Sequence, residues 1–309
     1  MVSVLLAAYE GAQWLPAQLD SLRAQTCTDF RVLWQDDGSA DGSRELLQRL
    51  SAEDARFIPG RSQGQRLGAI GNFLSLMAQD DAPCSALCDQ DDLWQPDKLA
   101  RCMDALREAE ERFGADTPLL VHHDCRVVGP DGHVLHESFF RHQGWDGCAN
   151  TLPRLLVQNN VTGCTCVMNA ALRRIVTQYA QAETIFMHDW FIALTAAAFG
   201  QIVFVDEPLV DYRQHGRNVM GASRATLLQR GLAALRSPQH ARERIALTFR
   251  QARMLRQTFG SALPSGAADI VDRYLAIEAL PRWQRAHALR TGGYLMQSPV
   301  TRIGQYLFT

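Results

Sequence analysis

Four times in its first hundred residues the chain runs from a short apolar segment into one with helical signals, and this alternation constrains the fold more than any other feature. Val2 to Ala8 precedes a helix over about Trp14 to Gln25. Phe30 to Trp34 leads through Asp36-Asp37-Gly38-Ser39 into a helix starting near Asp41-Gly42-Ser43. The pattern returns weakly at Arg56 to Ile58, with a helix over Leu67 to Ala78, and clearly at Ser85 to Cys88, with a helix from near Pro96. Strand and helix in this order build right-handed βαβ units and a mostly parallel sheet, with ligands gathered at the carboxyl ends of the strands. Two acidic clusters lie at such ends, Asp36-Asp37 and Asp89-Gln90-Asp91-Asp92.

The second cluster places three carboxylates in four residues directly after the apolar pair Ala86-Leu87. Carboxylates this close repel one another, and a folded chain that keeps them normally has a cation to hold them. A divalent metal on one or two carboxylates at the mouth of a sheet retains open positions, which substrate phosphates fill. The segment points to a metal-dependent enzyme with a phosphorylated substrate.

The 309 residues are enough for one large α/β domain or two smaller ones. No stretch approaches the ~20 apolar residues of a membrane span, and Met1 to Leu6 lacks the charged region of a secretory signal, so the expected location is cytoplasmic. The eight cysteines form no C-x-x-C pair and read as reduced, buried hydrophobes. The net charge of −2 conceals a division: from Ser223 onward thirteen arginines face four acids, a balance of +9, which leaves −11 on residues 1–222.

Beyond Phe113 the rhythm changes to short strands. Leu119 to His123 and Arg126 to Val128 come first, and the latter turns through Gly129-Pro130-Asp131-Gly132 into His133 to Leu135 as a hairpin. Thr162 to Met168 reads as a strand with Cys164 and Cys166 on one face, Asp189 to Phe199 as a helix, and Ile202 to Val205 and Leu209 to Tyr212 as the last strands. After Ser223 the pattern is wholly helical, with Ile245, Phe249, Ala252, Leu255 and Phe259 forming one apolar stripe.

In this order, Leu-Ala-Ala-Tyr-Glu-Gly, Gln-Asp-Asp-Gly-Ser-Ala-Asp-Gly-Ser, Cys-Asp-Gln-Asp-Asp-Leu-Trp-Gln-Pro-Asp-Lys-Leu, His-Asp-Trp and Tyr-Arg-Gln-His-Gly resemble glycosyltransferase family 2 over residues 2–221. The D-Q-D-D-x-W block and the closing Y-R-Q-H-G are most similar to the bacterial rhamnosyltransferase-like branch, which builds lipopolysaccharide O-antigen and capsule chains. The resemblance implies a GT-A type α/β catalytic domain over residues 1–221, with an arginine-rich helical extension over residues 222–309. It also implies an inverting transferase that depends on Mg2+ or Mn2+ and takes its donor from dTDP-L-rhamnose, or alternatively from a UDP-sugar. The acceptor would be a saccharide or lipid-linked saccharide.

The residues receive roles on the same footing. A carboxylate suits the N3–H of uracil or thymine, and the resemblance makes Asp37 the reader of the base; the competing role is a polar turn that caps a helix. Ala8 and Tyr9 lie near base and ribose, and Asn72 closes the glycine-containing approach Gly68-Ala69-Ile70-Gly71 to the donor. Asp89 and Asp91 match the D-x-D element, Asp89 toward the ribose and Asp91 on the metal, while Asp92 caps or orients the loop. Asp189 matches the catalytic base, against a plain helix cap. Arg213 and Arg217 are candidate phosphate contacts, His215 is a candidate third metal ligand or a hydrogen-bond donor to the diphosphate, and Gly216 and Gly221 bracket a lid. Trp94 and Trp190 line a sugar pocket or simply pack.

The basic tail is open to two readings, a solvated face or a peripheral contact with the cytoplasmic side of an anionic inner membrane, where arginines alternate with Trp283, Tyr294, Tyr306 and Phe308. No motif supports nucleic-acid binding. Two non-enzymatic functions compete with the transferase: a sugar-nucleotide or glycan binding module, and an adaptor whose function resides in the tail. The joint presence of Asp37, Asp89, Asp91 and Asp189 argues against the first, and removal of residues 223–309 separates the second from the enzyme.

Overall fold

The computed structural model of the chain describes residues 1–61, 66–215 and 238–309. Four strands, β1 (Val2–Ala8), β2 (Phe30–Asp36), β3 (Phe57–Pro59) and β4 (Cys84–Asp89), lie parallel in the order β3-β2-β1-β4. They are separated by α1 (Leu15–Arg23), α2 (Ser43–Glu53) and α3 (Gly68–Gln79). Central strands covered on both faces need apolar residues at successive positions. In β1, Val4 and Leu6 pack toward Leu15, Leu19 and Leu47, whereas Leu5 packs with Phe73 and Leu76 on the other side. The register pairs Ala8 with Asp36 and Ala7 with Asp89, so both acidic clusters emerge side by side at one edge.

The second half of the sheet adds short antiparallel strands to this mostly parallel arrangement. β8 (Val167–Asn169) runs antiparallel to both β4 and β6 (Leu119–Val128). β6 is parallel to β9 (Gln201–Arg213), β9 is antiparallel to β5 (Leu93–Trp94), and β7 (Val134–His136) forms the expected hairpin with β6. The sheet is therefore mixed. The paired short strands expected on either side of Asp124 and of Pro208 are two continuous strands with irregular register. Asp124 lies opposite Pro208, which has no N–H for the ladder, and the carboxylate of Asp124 turns away to accept the backbone N–H groups of Cys125 and Phe140.

Thr162 to Met168 likewise departs from a full strand. Gly163–Thr165 is a single 3-10 turn, and only Val167–Asn169 joins the sheet. The sulfurs of Cys164 and Cys166 consequently enter different apolar clusters rather than sharing a face.

The helices α4 (Lys98–Phe113), α5 (Phe139–Gln143), α6 (Leu152–Val157), α7 (Ala170–Tyr179) and α8 (His188–Phe199) complete the body. Beyond it follow α9 (Pro238–Phe259), α10 (Ser265–Ala276), α11 (Arg282–Thr291) and α12 (Pro299–Phe308). The α9 stripe Ile245, Phe249, Ala252, Leu255 and Phe259 is buried as expected, in the same cluster as Leu155 and Leu156 of α6 and Phe191 of α8. Phe259 stacks on Phe191 at 5.8 Å, and Tyr274 of α10 stacks on Phe249 at 4.6 Å. The boundary at 221/222 and the lid glycines lie outside the described residues. No described helix is long and apolar enough to cross a membrane.

Candidate active site at the carboxyl edge of the sheet

At the end of β2 the two neighbouring aspartates do different things. The Asp36 carboxylate accepts the N–H groups of Gly38 and Ser39 and the Arg44 Nε, which organises its own turn. Asp37 faces across the sheet edge. Its two oxygens accept the backbone N–H groups of Leu67 at 2.6 Å and Gly68 at 2.7 Å, where α3 starts. Gly68 begins that helix at φ +67°, a conformation that costs a side-chain-bearing residue about 1–2 kcal/mol. Asp37 therefore is a helix cap, though of α3 rather than α2, and each oxygen keeps a further lone pair. The Ala8 carbonyl accepts the Asp37 N–H at 2.9 Å, and Asn72 donates its amide to the Gln35 carbonyl while its Oδ1 has no partner. Tyr9 is exposed beneath the Arg66 guanidinium, 4.0 Å from the ring centre.

The loop after β4 is pinned from three sides. Gln90 exchanges two 2.7 Å hydrogen bonds with the Tyr9 backbone, joining the ends of β1 and β4. Asp91 Oδ2 lies 2.8 Å from His215 Nε2, and the His215 ring stacks on Trp14 at 5.2 Å. Asp92 accepts the backbone N–H of Arg213. The Arg213 side chain braces this loop: Nε donates to the Asp91 carbonyl, Nη1 to the Pro130 carbonyl, and the guanidinium covers Trp14. Arg217 lies outside the described residues.

Beneath the loop sits Lys98, fully buried, donating Nζ to the Cys164 carbonyl at 2.7 Å and lying 3.3 Å from the centre of the Trp94 ring. Burial pushes the Lys98 ammonium down and, together with Asp91 and Asp89, pushes the Asp92 carboxyl well up. Asp89 is raised by the same burial and by the neighbouring Asp91 and Asp189.

Asp189 stands in the first turn of α8, where an acid meets the positive helix end. Its Oδ1 accepts its neighbour Trp190 N–H at 2.5 Å, and the backbone of Gly163 also bonds to it. Burial nonetheless raises its pKa to about 7. Gly163 is the meeting point of this end of the site. A Cβ there would lie 2.9 Å from His188 Nε2 and 3.7 Å from Asp89 Oδ2. Asp89 and Asp189, a hundred residues apart, thus face one small space.

Among the described residues one group of three side chains could hold a metal ion. Asp89, Asp92 and Cys164 have ligand atoms within 4.8 Å of one another. The Cys164 thiol is pushed well up by burial and stays protonated, and a hard cation prefers oxygen. Asp91 and His215 are hydrogen-bonded to each other at 2.8 Å.

Sequence reasoning missed Lys98, Gly163, His188, Gln90 and Arg66. No periodicity distinguishes a buried lysine from an exposed one, and the role of Gln90 depends on a partner 81 positions away. Trp94 and Trp190 are packing residues: Trp94 supports Lys98, and Trp190 Nε1 donates to the Leu155 carbonyl at 2.7 Å.

Comparisons with known proteins bear on the family and the fold. A family model described as "Glycosyl transferase family 2" matches residues 3–179. The dTDP-rhamnosyl transferase RfbG of Shigella flexneri is 24% identical over 231 residues, covering 71% of this chain and 74% of that protein. Among solved structures, S. aureus TarS 1–349 in complex with UDP-GlcNAc superposes with a TM-score of 0.56 at 15% identity, covering 98% of this chain and 90% of that one. The chain spans 53% of the longer TarS structure. The mannosyltransferase PcManGT from Pyrobaculum calidifontis, in complex with GDP-Man and Mn2+, superposes at 0.54 and 15% identity, covering 94% of this chain and 72% of that one. At these identities the structural likenesses establish the fold alone, a GT-A architecture.

Proposed function

Because this chain belongs to glycosyltransferase family 2, we propose that it moves a sugar from a nucleoside-diphosphate donor to an acceptor hydroxyl in one displacement that inverts the anomeric carbon. The observation that carries the reading is the convergence on Gly163: a buried carboxyl with a pKa near neutrality, Asp189, shares one space with Asp89 at the β4 end, on the sheet edge that also presents Asp37. A base is most useful when its pKa lies near the working pH. Asp189 accepts the proton of the acceptor hydroxyl, and its bond to the Gly163 backbone keeps it aimed.

At the other end, the remaining lone pairs of Asp37 take the N3–H of a pyrimidine, with Ala8, Tyr9 and Asn72 enclosing base and ribose. Asp89 points toward the ribose and donor sugar, and Asp91 with His215 would hold magnesium or manganese. The ion, when bound, neutralises the diphosphate and the charge on the departing nucleoside diphosphate. Asp92, Lys98 and Arg213 hold the acidic loop in place from below.

The likeness to RfbG favours dTDP-L-rhamnose as donor, with a UDP-sugar as the alternative. A lipid-linked acceptor at the cytoplasmic face of a membrane agrees with the C-terminal helices, where Trp283 is 78%, Ile303 59% and Leu307 57% exposed amid arginines. Each such arginine near an anionic surface contributes about 1 kcal/mol.

The test is release of nucleoside diphosphate from a panel of dTDP- and UDP-sugars. Release from one donor with manganese, lost with chelator and in Asp91→Ala, is the expected result. Nucleotide binding without release from any donor would instead favour a binding module.

A further inference from the structure

Lys98 stands against two physical preferences at once. It is fully buried, and it is the first residue of α4, where the helix end is itself positive. Taking an ammonium out of water is costly, and an apolar side chain of similar size is often the more stable choice at such a place. The ammonium is held there by a backbone carbonyl, that of Cys164 at 2.7 Å, and by the face of the Trp94 ring. Its own helix is firmly seated, with Leu99, Cys102 and Leu106 fully buried against the sheet. Lys98 is therefore a fixed point, and what it grips is fixed with it.

The gripped carbonyl belongs to the 3-10 turn Gly163–Thr165. That turn is closed on itself, the Thr165 N–H bonding the Thr162 carbonyl at 2.9 Å and the Cys166 N–H bonding the Gly163 carbonyl at 3.0 Å, so it moves as a unit. Its Gly163 end is packed directly against the site: a Cβ there would lie 2.9 Å from His188 Nε2 and 3.7 Å from Asp89 Oδ2. The Gly163 backbone also bonds to the Asp189 carboxyl. A carboxylate only accepts, so the donor is the Gly163 N–H. One short path then runs from α4 through Lys98 Nζ, the Cys164 carbonyl and the Gly163 N–H to Asp189.

We propose that Lys98 is a positioning residue for the transfer: by holding the Cys164 carbonyl it fixes the turn whose Gly163 N–H aims the Asp189 carboxyl at the acceptor hydroxyl. The inference rests on the transferase reading above. Lys98 lies beneath the site and touches neither substrate, so its contribution belongs to turnover and not to donor binding. The titratable groups facing Asp189 are Asp89 and His188, and burial keeps the imidazole uncharged, its pKa lowered to about 4. A slackened Gly163 bond stabilises ionised Asp189 less, and loss of the Lys98 charge acts in the same sense on Asp89. Both push the working pH upward.

The experiment is release of nucleoside diphosphate by the full chain with manganese, from dTDP-L-rhamnose and from UDP-N-acetylglucosamine, followed against donor concentration and pH. In Lys98→Met, KM for the donor should stay within about twofold of wild type while kcat falls about ten- to a hundredfold, the effect of a small displacement of a reacting group. The midpoint of kcat against pH should move up from about 7. Lys98→Gln keeps an N–H for the carbonyl without the charge and should recover part of the turnover. Trp94→Phe weakens the ring face beneath the ammonium and should lower kcat by about two- to threefold at unchanged KM; it serves where the lysine variants do not fold. Wild-type kcat and midpoint in these variants, a loss carried by KM, or a glutamine variant as impaired as the methionine one would overturn the assignment while leaving the transferase reading intact. A wild type that releases no nucleoside diphosphate would overturn both.

Discussion

A carboxyl that buries itself at a helix start has a pH signature. Asp189 keeps its proton to about pH 7 in the folded chain, whereas an unfolded aspartate ionises near 4. Turnover should accordingly rise with pH through about 7 as the base is freed, in a profile of kcat against pH. Stability runs the other way: between about pH 4 and 7 the folded state binds the extra proton, so stability falls as pH rises through that window. Asp189→Asn should abolish turnover, by 10²-fold or more. In chelator at pH 8 it should unfold at higher temperature than wild type, by the equivalent of roughly 2–4 kcal/mol, and show no such gain at pH 4. Asp37 separates by the same logic into two duties. Asp37→Ala should lower both the melting temperature, by about 1–2 kcal/mol, and nucleotide affinity, whereas Asp37→Asn keeps an acceptor for one amide and should lose mainly the nucleotide.

At the level of the elements, the site depends on where strands end and helices begin. β1, β2 and β4 stop in register, and α3 and α8 start within reach of those ends. Gly68 is the hinge of this arrangement, since its left-handed φ lets its N–H meet Asp37. Gly68→Ala should cost about 1–2 kcal/mol in denaturant unfolding and weaken nucleotide binding along with it. β9 contributes from the far side. Its last residue, Arg213, is held by Asp92 and in turn holds the Asp91 carbonyl, so strand and acidic loop move as one.

For the whole molecule, the C-terminal helices are part of the core. Leu255 is fully buried among residues from α6 and α8, and Leu255→Ala should cost about 2–4 kcal/mol in urea unfolding. Removing residues 223–309 should expose that apolar face and produce aggregation rather than a free catalytic body, which size-exclusion chromatography would detect. The same helices carry the exposed Trp283 and Leu307. Co-sedimentation with anionic vesicles should be salt-sensitive and weakened in Trp283→Ala, without change in donor hydrolysis.

The sequence by itself determined the parallel βαβ half, the acidic clusters at its strand ends and the apolar stripe of α9, because each is written in short-range periodicity or in a few adjacent residues. Tertiary structure decided what pairs across long separations. It worked antiparallel strands into the second half of the sheet, broke Thr162 to Met168 into a turn and a short strand, tied Arg213 to the acidic loop, and buried Lys98 under Asp92. It also brought His188, Gly163, Asp89 and Asp189 to one point. Spacing along a chain records which face a residue shares with its neighbours. Which groups from distant segments meet, and which of them lose water, depends on the packed whole.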